Sequence, residues 1–311
     1  MDLLLLLVGI AGLWLGTELT IGGALAVARR YGLSEFVVGL LVLSIGSDLP
    51  EIAVAVDAGL KGLMGQDASG IVVGASIGSV VAQIGFVLGL AAMISVLVLP
   101  NRFIIKHGAV LIGATVLLFL FALDGEITRV EGLIMVSAYA GYVFMLMNGD
   151  TAPAAEPRTI AGGDWKSWLF LAAGLAVVIA SSELTVSSVV SLARAFEVNE
   201  SVIAVLIIGL GTSLPELSIS VSAILKRRTE LSVGNVIGSN ILDTLLPIGI
   251  AAVISTVRVE RHFLEFDLPF IAVLTLAVLY FLFGKRGVTR PEGLVILGLY
   301  GAYVAVKLLH I

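Results

Sequence analysis

The sequence predicts an all-α membrane protein with ten transmembrane helices, arranged as two inverted five-helix repeats in which helices 2 and 7 are broken. Three observations predict this fold: a strongly apolar composition, ten apolar stretches of spanning length, and an internal repeat. Of the 311 residues, 59% are hydrophobic and 13% are charged, and the mean hydropathy is +1.10. A soluble domain carries roughly 25% charged residues, so we expect most of this chain to lie in the hydrocarbon of a bilayer.

Each predicted helix is an apolar stretch long enough to cross a bilayer, which takes about 20 residues. The ten stretches are 2–25, 33–58, 68–96, 102–123, 128–148, 166–194, 198–224, 230–256, 263–284 and 290–309. The strands of a membrane β-barrel alternate polar and apolar residues, whereas runs such as Val110–Ala122 do not. The first stretch starts with Asp2 instead of a basic region, so we expect a retained helix and not a signal peptide.

The distribution of basic residues predicts the orientation, because cytoplasmic loops carry an excess of Lys and Arg. If odd-numbered connections share one face, twelve of the 18 Lys and Arg residues lie on that face. This excess predicts a multi-pass protein of the cell membrane with both termini outside. The chain has no cysteine, which excludes disulfides and thiolate metal sites.

Four ordered pairs of matching segments indicate an internal repeat. The pairs are Glu18–Thr20 with Glu183–Thr185, Ile45–Glu51 with Leu210–Glu216, Gly74–Ser79 with Gly234–Ser239, and Thr128–Leu133 with Thr289–Leu294. The first two pairs are offset by 165 residues and the third by 160, so the first copy carries five extra residues in its second connection.

The number of helices in each copy predicts how the copies are related. Five crossings are an odd number, so the second copy must enter the membrane from the opposite face. Such inverted repeats are typical of secondary transporters. The first repeat is predicted for residues 1–148, a cytoplasmic linker for 149–164 and the second repeat for 165–311.

Acidic residues interrupt the predicted helices near the middle of the membrane. They are Asp48, Glu51, Glu216 and Asp243. A charged residue at a helix centre costs about 2.5–3.5 kcal/mol, so four unpaired carboxylates cost ~10 kcal/mol. No Lys or Arg lies near them in helices 2, 3, 7 or 8. Protonation, water or a bound cation must offset the cost; neutral carboxylic acids that hold helices together are the simpler interpretation, which the neighbouring groups disfavour.

A proline directly precedes each of Glu51 and Glu216. A proline within a helix removes a backbone hydrogen bond and clashes with the preceding turn, at about 3 kcal/mol. We therefore expect helices 2 and 7 to break and to free carbonyl oxygens around Ser44 and Gly209. The same turns carry the hydroxyl groups of Ser47, Thr212 and Ser213. Carboxylate, carbonyl and hydroxyl oxygens suit hard cations such as Ca²⁺ and Na⁺.

Helices 3 and 8 supply further polar groups. Ser79 and Gln83 are four residues apart, as are Ser239 and Asp243, so each pair shares one helix face. Glycines before each pair permit close packing against the broken helices. The glycines alone indicate only tight helix contact, whereas the polar pairs predict cation ligands.

At these residues the chain resembles the cation/calcium antiporter superfamily, in particular the prokaryotic sodium/calcium exchangers. The resemblance covers essentially the whole chain, and the two α-repeats of that family correspond to Gly46–Glu51 with Gly74–Gln83 and to Gly211–Glu216 with Gly234–Asp243. It implies an antiporter that exchanges Ca²⁺ for Na⁺ by alternating access, with helices 1 and 6 sliding past the other eight. The implied ligands are Glu51 and Glu216, shared by both ions, with Ser47, Thr212, Ser213, Ser79 and Ser239.

The first copy departs from the pattern of that family. Asp48 stands where these exchangers usually carry a hydroxyl, as Ser213 does in the second copy. Gln83 stands where Asn or Asp is commoner, opposite Asp243. Two carboxylates one turn apart are not both ionised without a cation, so an antiporter of H⁺ and Ca²⁺, or of another divalent cation, remains an alternative. A cation channel is the alternative from another class, although paired broken helices favour alternating access.

The remaining polar residues predict no enzyme. The three histidines, His107, His262 and His310, lie towards predicted helix ends, where we expect interfacial positions and no catalytic constellation. For Glu18 and Glu183 we expect a structural role near the membrane interface rather than ion handling. The expected partners are the lipid bilayer, Ca²⁺ and Na⁺, with H⁺ as the alternative coupling ion; no organic cofactor, nucleic acid or obligatory protein partner is expected.

Overall fold

A computed structural model describes residues 2–149, 165–196, 211–284 and 287–310. By length and apolar composition, eight helices in these ranges could cross a membrane, and one bent pair of helices would form a ninth span. A shorter apolar helix, Leu214–Leu225, follows the undescribed residues 197–210. The chain is therefore an all-helical membrane protein, as predicted.

The described helices overlap all ten predicted stretches. In the first half they are α1 (Asp2–Tyr31), α2a (Glu35–Ser47), α2b (Leu49–Leu63), α3 (Ser69–Ile94), α4 (Asn101–Ala122) and α5 (Arg129–Gly149). In the second half they are α6 (Lys166–Ala195), α7 (Leu214–Leu225), α8 (Thr229–Ile254), α9 (Phe263–Phe283) and α10 (Arg290–His310). The start of predicted helix 7 and nearly all of the linker 149–164 lie outside the described residues.

The predicted break in helix 2 is confirmed. Segments α2a and α2b meet at Asp48 with a bend of 47°. Pro50 lies in the first turn of α2b, where its missing N–H costs no helical hydrogen bond. Pro215 occupies the same place in α7, after the non-helical residues Thr212 and Ser213. A new helix thus begins just before each glutamate.

Burial places α3 and α8 at the centre of the molecule. Of the most apolar windows, 72% of α3 and 78% of α8 are buried, against 28% of α5 and α10. The helix α8 packs against α2a, α2b, α5 and α7. The polar faces of α3 and α8 are therefore shielded from lipid by other helices.

Helices α1 and α6 form a closely packed antiparallel pair. Gly9 lies against Thr185, and Gly23 lies against Leu171. Residue numbers therefore increase along α1 as those of the contacting residues decrease along α6. Small residues let the two backbones approach without a large apolar interface. This pair contacts the remaining helices mainly through α7 and the π-helical turn Val38–Leu43 of α2a.

Two short backbone pairings join the halves of the chain. Strand β1 (Glu126–Ile127) pairs antiparallel with β2 (Val257–Arg258), with Ile127 opposite Val257. Leu97 and Val288 form an isolated antiparallel bridge, with N–H···O distances of 2.9 and 3.0 Å in its two directions. Val257 lies 160 residues after Leu97, and Val288 lies 161 after Ile127, so the pairings join equivalent positions of the two halves.

The side chain of His107 faces other helices, which the sequence analysis did not predict. This side chain is fully buried in α4, packs against Phe36 and Phe103, and its Nδ1 lies 2.9 Å from the Tyr142 hydroxyl. Position near a helix end sets the depth of a residue in the membrane but not the direction of its side chain. His262, by contrast, is about half exposed.

Candidate functional site

Four acidic side chains come from the two helix breaks and from α8. Asp48, Glu216 and Asp243 are fully buried, and Glu51 is 6% exposed. Glu51 and Glu216 lie in the first turns of α2b and α7, because each helix starts two residues earlier, with the proline as its second residue. The free N–H groups and the dipole at a helix N-terminus stabilise a negative charge there.

The polar pair of α3 contacts the second half of the chain. The Gln83 amide Nε2 donates a hydrogen bond to Asp243 Oδ2 at 3.0 Å. One turn earlier, Ser79 Oγ lies 3.5 Å from Thr212 Oγ1 at the break before α7. The predicted shared face of Ser79 and Gln83 is thus confirmed, and it is turned towards the acidic residues.

Asp48 and Glu216 bring two carboxylates side by side across the two halves. The Asp48 side chain and the Ser47 hydroxyl both lie next to the Glu216 carboxylate. Neither carboxylate accepts a well-formed hydrogen bond from a described residue. Two adjacent carboxylates repel each other unless a proton or a cation lies between them.

Most of the predicted ligands carry a buried oxygen without a hydrogen-bond partner among the described residues. These atoms are Asp48 Oδ1 and Oδ2, Glu51 Oε2, Gln83 Oε1, Ser213 Oγ, Glu216 Oε1 and Oε2, Ser239 Oγ and Asp243 Oδ1. Buried polar atoms are normally bonded, and an unpaired buried charge is costly. This concentration of unpaired buried oxygens has the chemistry of a cation ligand set.

The described basic residues do not neutralise this site. No basic residue is among the groups that act electrostatically on Asp48, Glu51, Glu216 and Asp243, and the ion pairs of Lys61, Lys226, Arg228 and Arg258 involve other carboxylates, most of them exposed. Within the same ranges, no three acidic or histidine side chains already have a geometry that would hold a metal ion. The acids supply charge and oxygen atoms, and a bound cation would have to draw them together.

The prediction of freed carbonyls around Ser44 does not hold for the Ser44 carbonyl itself. This oxygen accepts the Asp48 N–H at 3.0 Å and the Ser47 hydroxyl at 3.3 Å. A proline removes the bond to the carbonyl four residues before it, which for Pro50 is Gly46. A cation that uses the Ser44 oxygen would therefore have to displace the Ser47 hydroxyl.

At the break before α7, the corresponding carbonyl has a hydrogen-bond partner on another helix. Gly211 lies four residues before Pro215, and its carbonyl accepts a hydrogen bond from Ser182 Oγ of α6 at 3.4 Å. Gly209, the other carbonyl predicted as a ligand, lies outside the described residues. The break in helix 7 is thus linked directly to the α1–α6 pair.

Tyr139 of α5 is a buried neighbour of the site that the sequence analysis missed. It interacts electrostatically with Asp48 and Asp243. A signal was present, because the segment Tyr139–Val143 recurs as Tyr300–Val304, with a tyrosine in the first and fourth positions of each. Aromatic residues in apolar helices are common, so this repeat alone did not indicate proximity to the acids.

Comparisons with known proteins agree with this architecture over nearly the whole chain. Residues 1–148 and 166–309 match the family described as sodium/calcium exchanger protein. The putative antiporter CaxA of Alkalimonas amylolytica is 31% identical over 309 residues, covering 96% of this chain and 95% of that protein. The sodium/calcium exchanger MaX1 of Methanosarcina acetivorans is 27% identical over 347 residues, covering 98% of each.

A solved structure provides the comparison in three dimensions. The sodium-calcium exchanger NCX_Mj, soaked with zero Na⁺ and Ca²⁺, superposes with a TM-score of 0.84 at 27% identity and covers 98% of both chains. The same exchanger soaked with 2.5 mM Na⁺ and 0.1 mM Ca²⁺ superposes with a TM-score of 0.83.

Proposed function

Because the chain belongs to the sodium/calcium exchanger family, we propose that it exchanges Ca²⁺ for Na⁺ across a membrane by alternating access. The observation that carries this proposal is the set of four buried carboxylates without a described basic partner. Charge of this kind within the membrane is tolerable when a transported cation balances it. Membership of this family makes the chain a cation antiporter rather than an enzyme. The coupling of Ca²⁺ transport to Na⁺ is our proposal.

The proposed architecture has ten spans in two inverted repeats, with boundaries at 1–148 and 165–311. The backbone pairings Ile127–Val257 and Leu97–Val288 support it. Val288 is the repeat equivalent of Ile127, and Val257 is that of Leu97, so both pairings join the same two positions of the repeat. Helix contacts agree: Gly132 packs against Ala252, and the equivalent Gly293 packs against Ala92. A cap in which the Glu carboxylate bonds the Thr three residues earlier also begins both α5 and α10.

In this proposal Glu51 and Glu216 bind both ions. The other proposed ligands are Asp48, Ser47, Thr212, Ser213, Ser79, Gln83, Ser239 and Asp243, with the carbonyl oxygens of Ser44 and Gly209. Ca²⁺ takes six to eight oxygen ligands, which two carboxylates with hydroxyl and amide oxygens can supply. Na⁺ ions would occupy subsets of the same oxygens, so the two cations compete.

Competition for one charged site explains exchange without leak. An empty, ionised site is too costly to carry through the low-dielectric barrier, because the desolvation penalty of its carboxylates has no compensation. A loaded site is neutralised enough to move. Each crossing therefore requires a bound cation, and an inward Na⁺ gradient drives Ca²⁺ outward.

The decisive measurement is Ca²⁺ flux in proteoliposomes with and without a Na⁺ gradient. The variant Glu216→Gln keeps the shape of the side chain and removes its charge, so we expect Na⁺-driven Ca²⁺ flux to disappear. Glu265→Gln is the matched control, since this glutamate is exposed on α9 and should leave flux unchanged. Normal flux in Glu216→Gln would refute the proposed role of the site.

Proton coupling is the second candidate, and the contact between Asp48 and Glu216 favours it. A proton shared by these carboxylates would remove their repulsion without Na⁺. Under this alternative, Ca²⁺ flux follows a pH gradient and persists at full rate when Na⁺ is absent. Under Na⁺ coupling, the same vesicles show flux only when Na⁺ is supplied.

A further inference from the structure

The α1–α6 pair is symmetric within itself. Gly9 of α1 packs against Thr185 of α6, and Gly174 of α6 packs against Thr20 of α1. Each residue of the second contact lies 165 positions from its equivalent in the first. The contact that α1 makes with α6 is therefore repeated by the contact that α6 makes with α1.

The docking of this pair onto the other helices is not symmetric. Leu175 of α6 packs against Gly46 and is 8% exposed, whereas its repeat equivalent in α1, Ile10, is 51% exposed. Ile219 of α7 is fully buried in one cluster with residues of α1, whereas its equivalent in α2b, Val54, is 38% exposed. The pair is thus displaced towards the C-terminal end of α7 and away from that of α2b.

Two polar contacts hold the displaced pair at the end of α7. The Glu18 carboxylate and Lys226 Nζ form an ion pair at 2.6 Å. Beside it, the Ser222 hydroxyl donates to Thr17 Oγ1 at 3.2 Å. These contacts join α1 to the last turn of α7 and to Lys226, the residue that follows it.

The repeat contains the same ion pair a second time, in an unformed state. The equivalents of Glu18 and Lys226, 165 residues away in each case, are Glu183 and Lys61. In the described structure Lys61 pairs instead with Asp57, four residues earlier in α2b, at 2.6 Å. Glu183 is exposed on α6.

We propose that Glu18–Lys226 and Glu183–Lys61 are alternative latches for the two states of the transport cycle. An inverted repeat reaches its opposite-facing state when the two copies exchange conformations around a fixed site. The contact made by Glu18 is then lost, and Glu183 makes the equivalent contact with Lys61, which leaves Asp57. This inference rests on the proposed alternating access.

The exposure of the latch fits a role in a reversible cycle. The side chains of Lys226 and Glu18 are 33% and 43% exposed. Exposed ion pairs bias an equilibrium only about two- to fivefold, so neither latch would trap the protein. Two similar latches at opposite ends would instead keep both states comparably populated.

Cross-linking tests the proposal directly, because the chain has no cysteine of its own. Two double variants are made, Glu18→Cys with Lys226→Cys and Glu183→Cys with Lys61→Cys, and each is treated in membranes with a short reagent that carries a thiol-reactive group at each end and forms reducible disulfide bonds. The reagent replaces a direct disulfide because Glu and Lys span more distance than two cysteines. We expect both pairs to cross-link and each cross-link to stop Ca²⁺ flux until it is reduced. Glu183→Cys with Lys226→Cys is the mismatched control, in which no cross-link should form.

The result separates this inference from the proposed function. Failure of the Glu183→Cys and Lys61→Cys pair to cross-link in a protein that transports Ca²⁺ overturns the latch and leaves the antiporter intact. Absence of Ca²⁺ flux in the parent protein overturns the antiporter, and with it the inference. Lys226→Ala should raise the rate of the Glu183–Lys61 cross-link about two- to fivefold, whereas Arg129→Ala, on the exposed face of α5, should not. If Lys226→Ala leaves the rate of the Glu183–Lys61 cross-link unchanged, the Glu18–Lys226 ion pair does not bias the two states.

Discussion

Glu51 and Glu216 owe their position to the prolines that precede them. Each proline is the second residue of a helix, and the following glutamate falls in the first turn, where unpaired N–H groups favour a carboxylate. Asp48 ends the preceding segment of helix 2 and lies beside Glu216. These are local consequences of sequence, so the identity of the acidic residues was predictable; their contacts across the two halves were not.

Asp48→Ser places in the first copy the hydroxyl that the second copy carries at Ser213. Removing a charge next to Glu216 lowers the attraction for a divalent cation, since unit charges about 4 Å apart interact by about 4 kcal/mol at an effective dielectric constant of 20. We expect Ca²⁺ to bind at least about tenfold more weakly, a change of about 1.4 kcal/mol, as measured by calorimetric titration. Glu265→Gln, on the exposed surface of α9, is the control. Equal affinity in Asp48→Ser would remove Asp48 from the ligand set.

A second buried acid lies away from the site, and it is neutralised by the protein. Asp267 of α9 is fully buried, accepts the Tyr303 hydroxyl at 2.7 Å and pairs with Lys307 of α10 at 3.0 Å. Breaking a buried ion pair by removing one partner typically costs 3–5 kcal/mol. We therefore expect Lys307→Met to lower the thermal unfolding temperature clearly in a detergent melt.

The control for this melt is the double variant Asp267→Asn with Lys307→Met. It removes both charges, so it should recover most of the lost stability. A double variant as unstable as the single one would show that packing of the Lys307 stem, and not its charge, stabilises this contact. Asp48 and Glu216 differ from Asp267, because no described basic residue acts on their carboxylates.

Close packing decides the arrangement of the α1–α6 pair. The glycines of these helices are not interchangeable: Gly23 faces the backbone of Leu171, whereas Gly22 faces open space. A periodic pattern of small residues predicts close helix contact, but it does not identify which neighbouring glycine makes that contact. Here the tertiary structure supplies the answer.

The adjacent glycines give a matched test. A methyl group at Gly23 would overlap the Leu171 backbone, and overpacking costs about 1–3 kcal/mol. We expect Gly23→Ala to lower the thermal stability and the Ca²⁺ flux, because the pair could not keep its spacing. Gly22→Ala should be neutral or stabilising, since Ala favours a helix by up to about 1 kcal/mol over Gly. Equal behaviour of the two variants in melts and flux assays would contradict the packing described for α1 and α6.

At the scale of the whole molecule, the inverted repeat and the charge distribution together predict the orientation. Both termini and the connection between α2b and α3 should lie outside, and the connection between α1 and α2a should lie in the cytoplasm. Met64 and Tyr31 mark these two connections, and both side chains are exposed.

Single cysteines at these positions test the orientation. In intact cells a membrane-impermeant maleimide should label Met64→Cys, and it should label Tyr31→Cys only after the membrane is permeabilised. The unsubstituted protein is the control, because it has no thiol. The reversed labelling pattern would show that the orientation is inverted, while the fold and the site would stand.

The sequence by itself determined the helices, the repeat, the break at helix 2 and the acids that we propose as cation ligands. All of these depend on local causes: apolar length, proline geometry, and the cost of charge in a membrane. The tertiary structure alone decided that Asp48 meets Glu216, that His107 is buried, that the Ser44 carbonyl is bonded, and that the α1–α6 pair docks at one end of the molecule. Two equivalent dockings are compatible with a repeated sequence, so a repeat cannot specify which one is formed; that choice depends on side-chain contacts between distant segments.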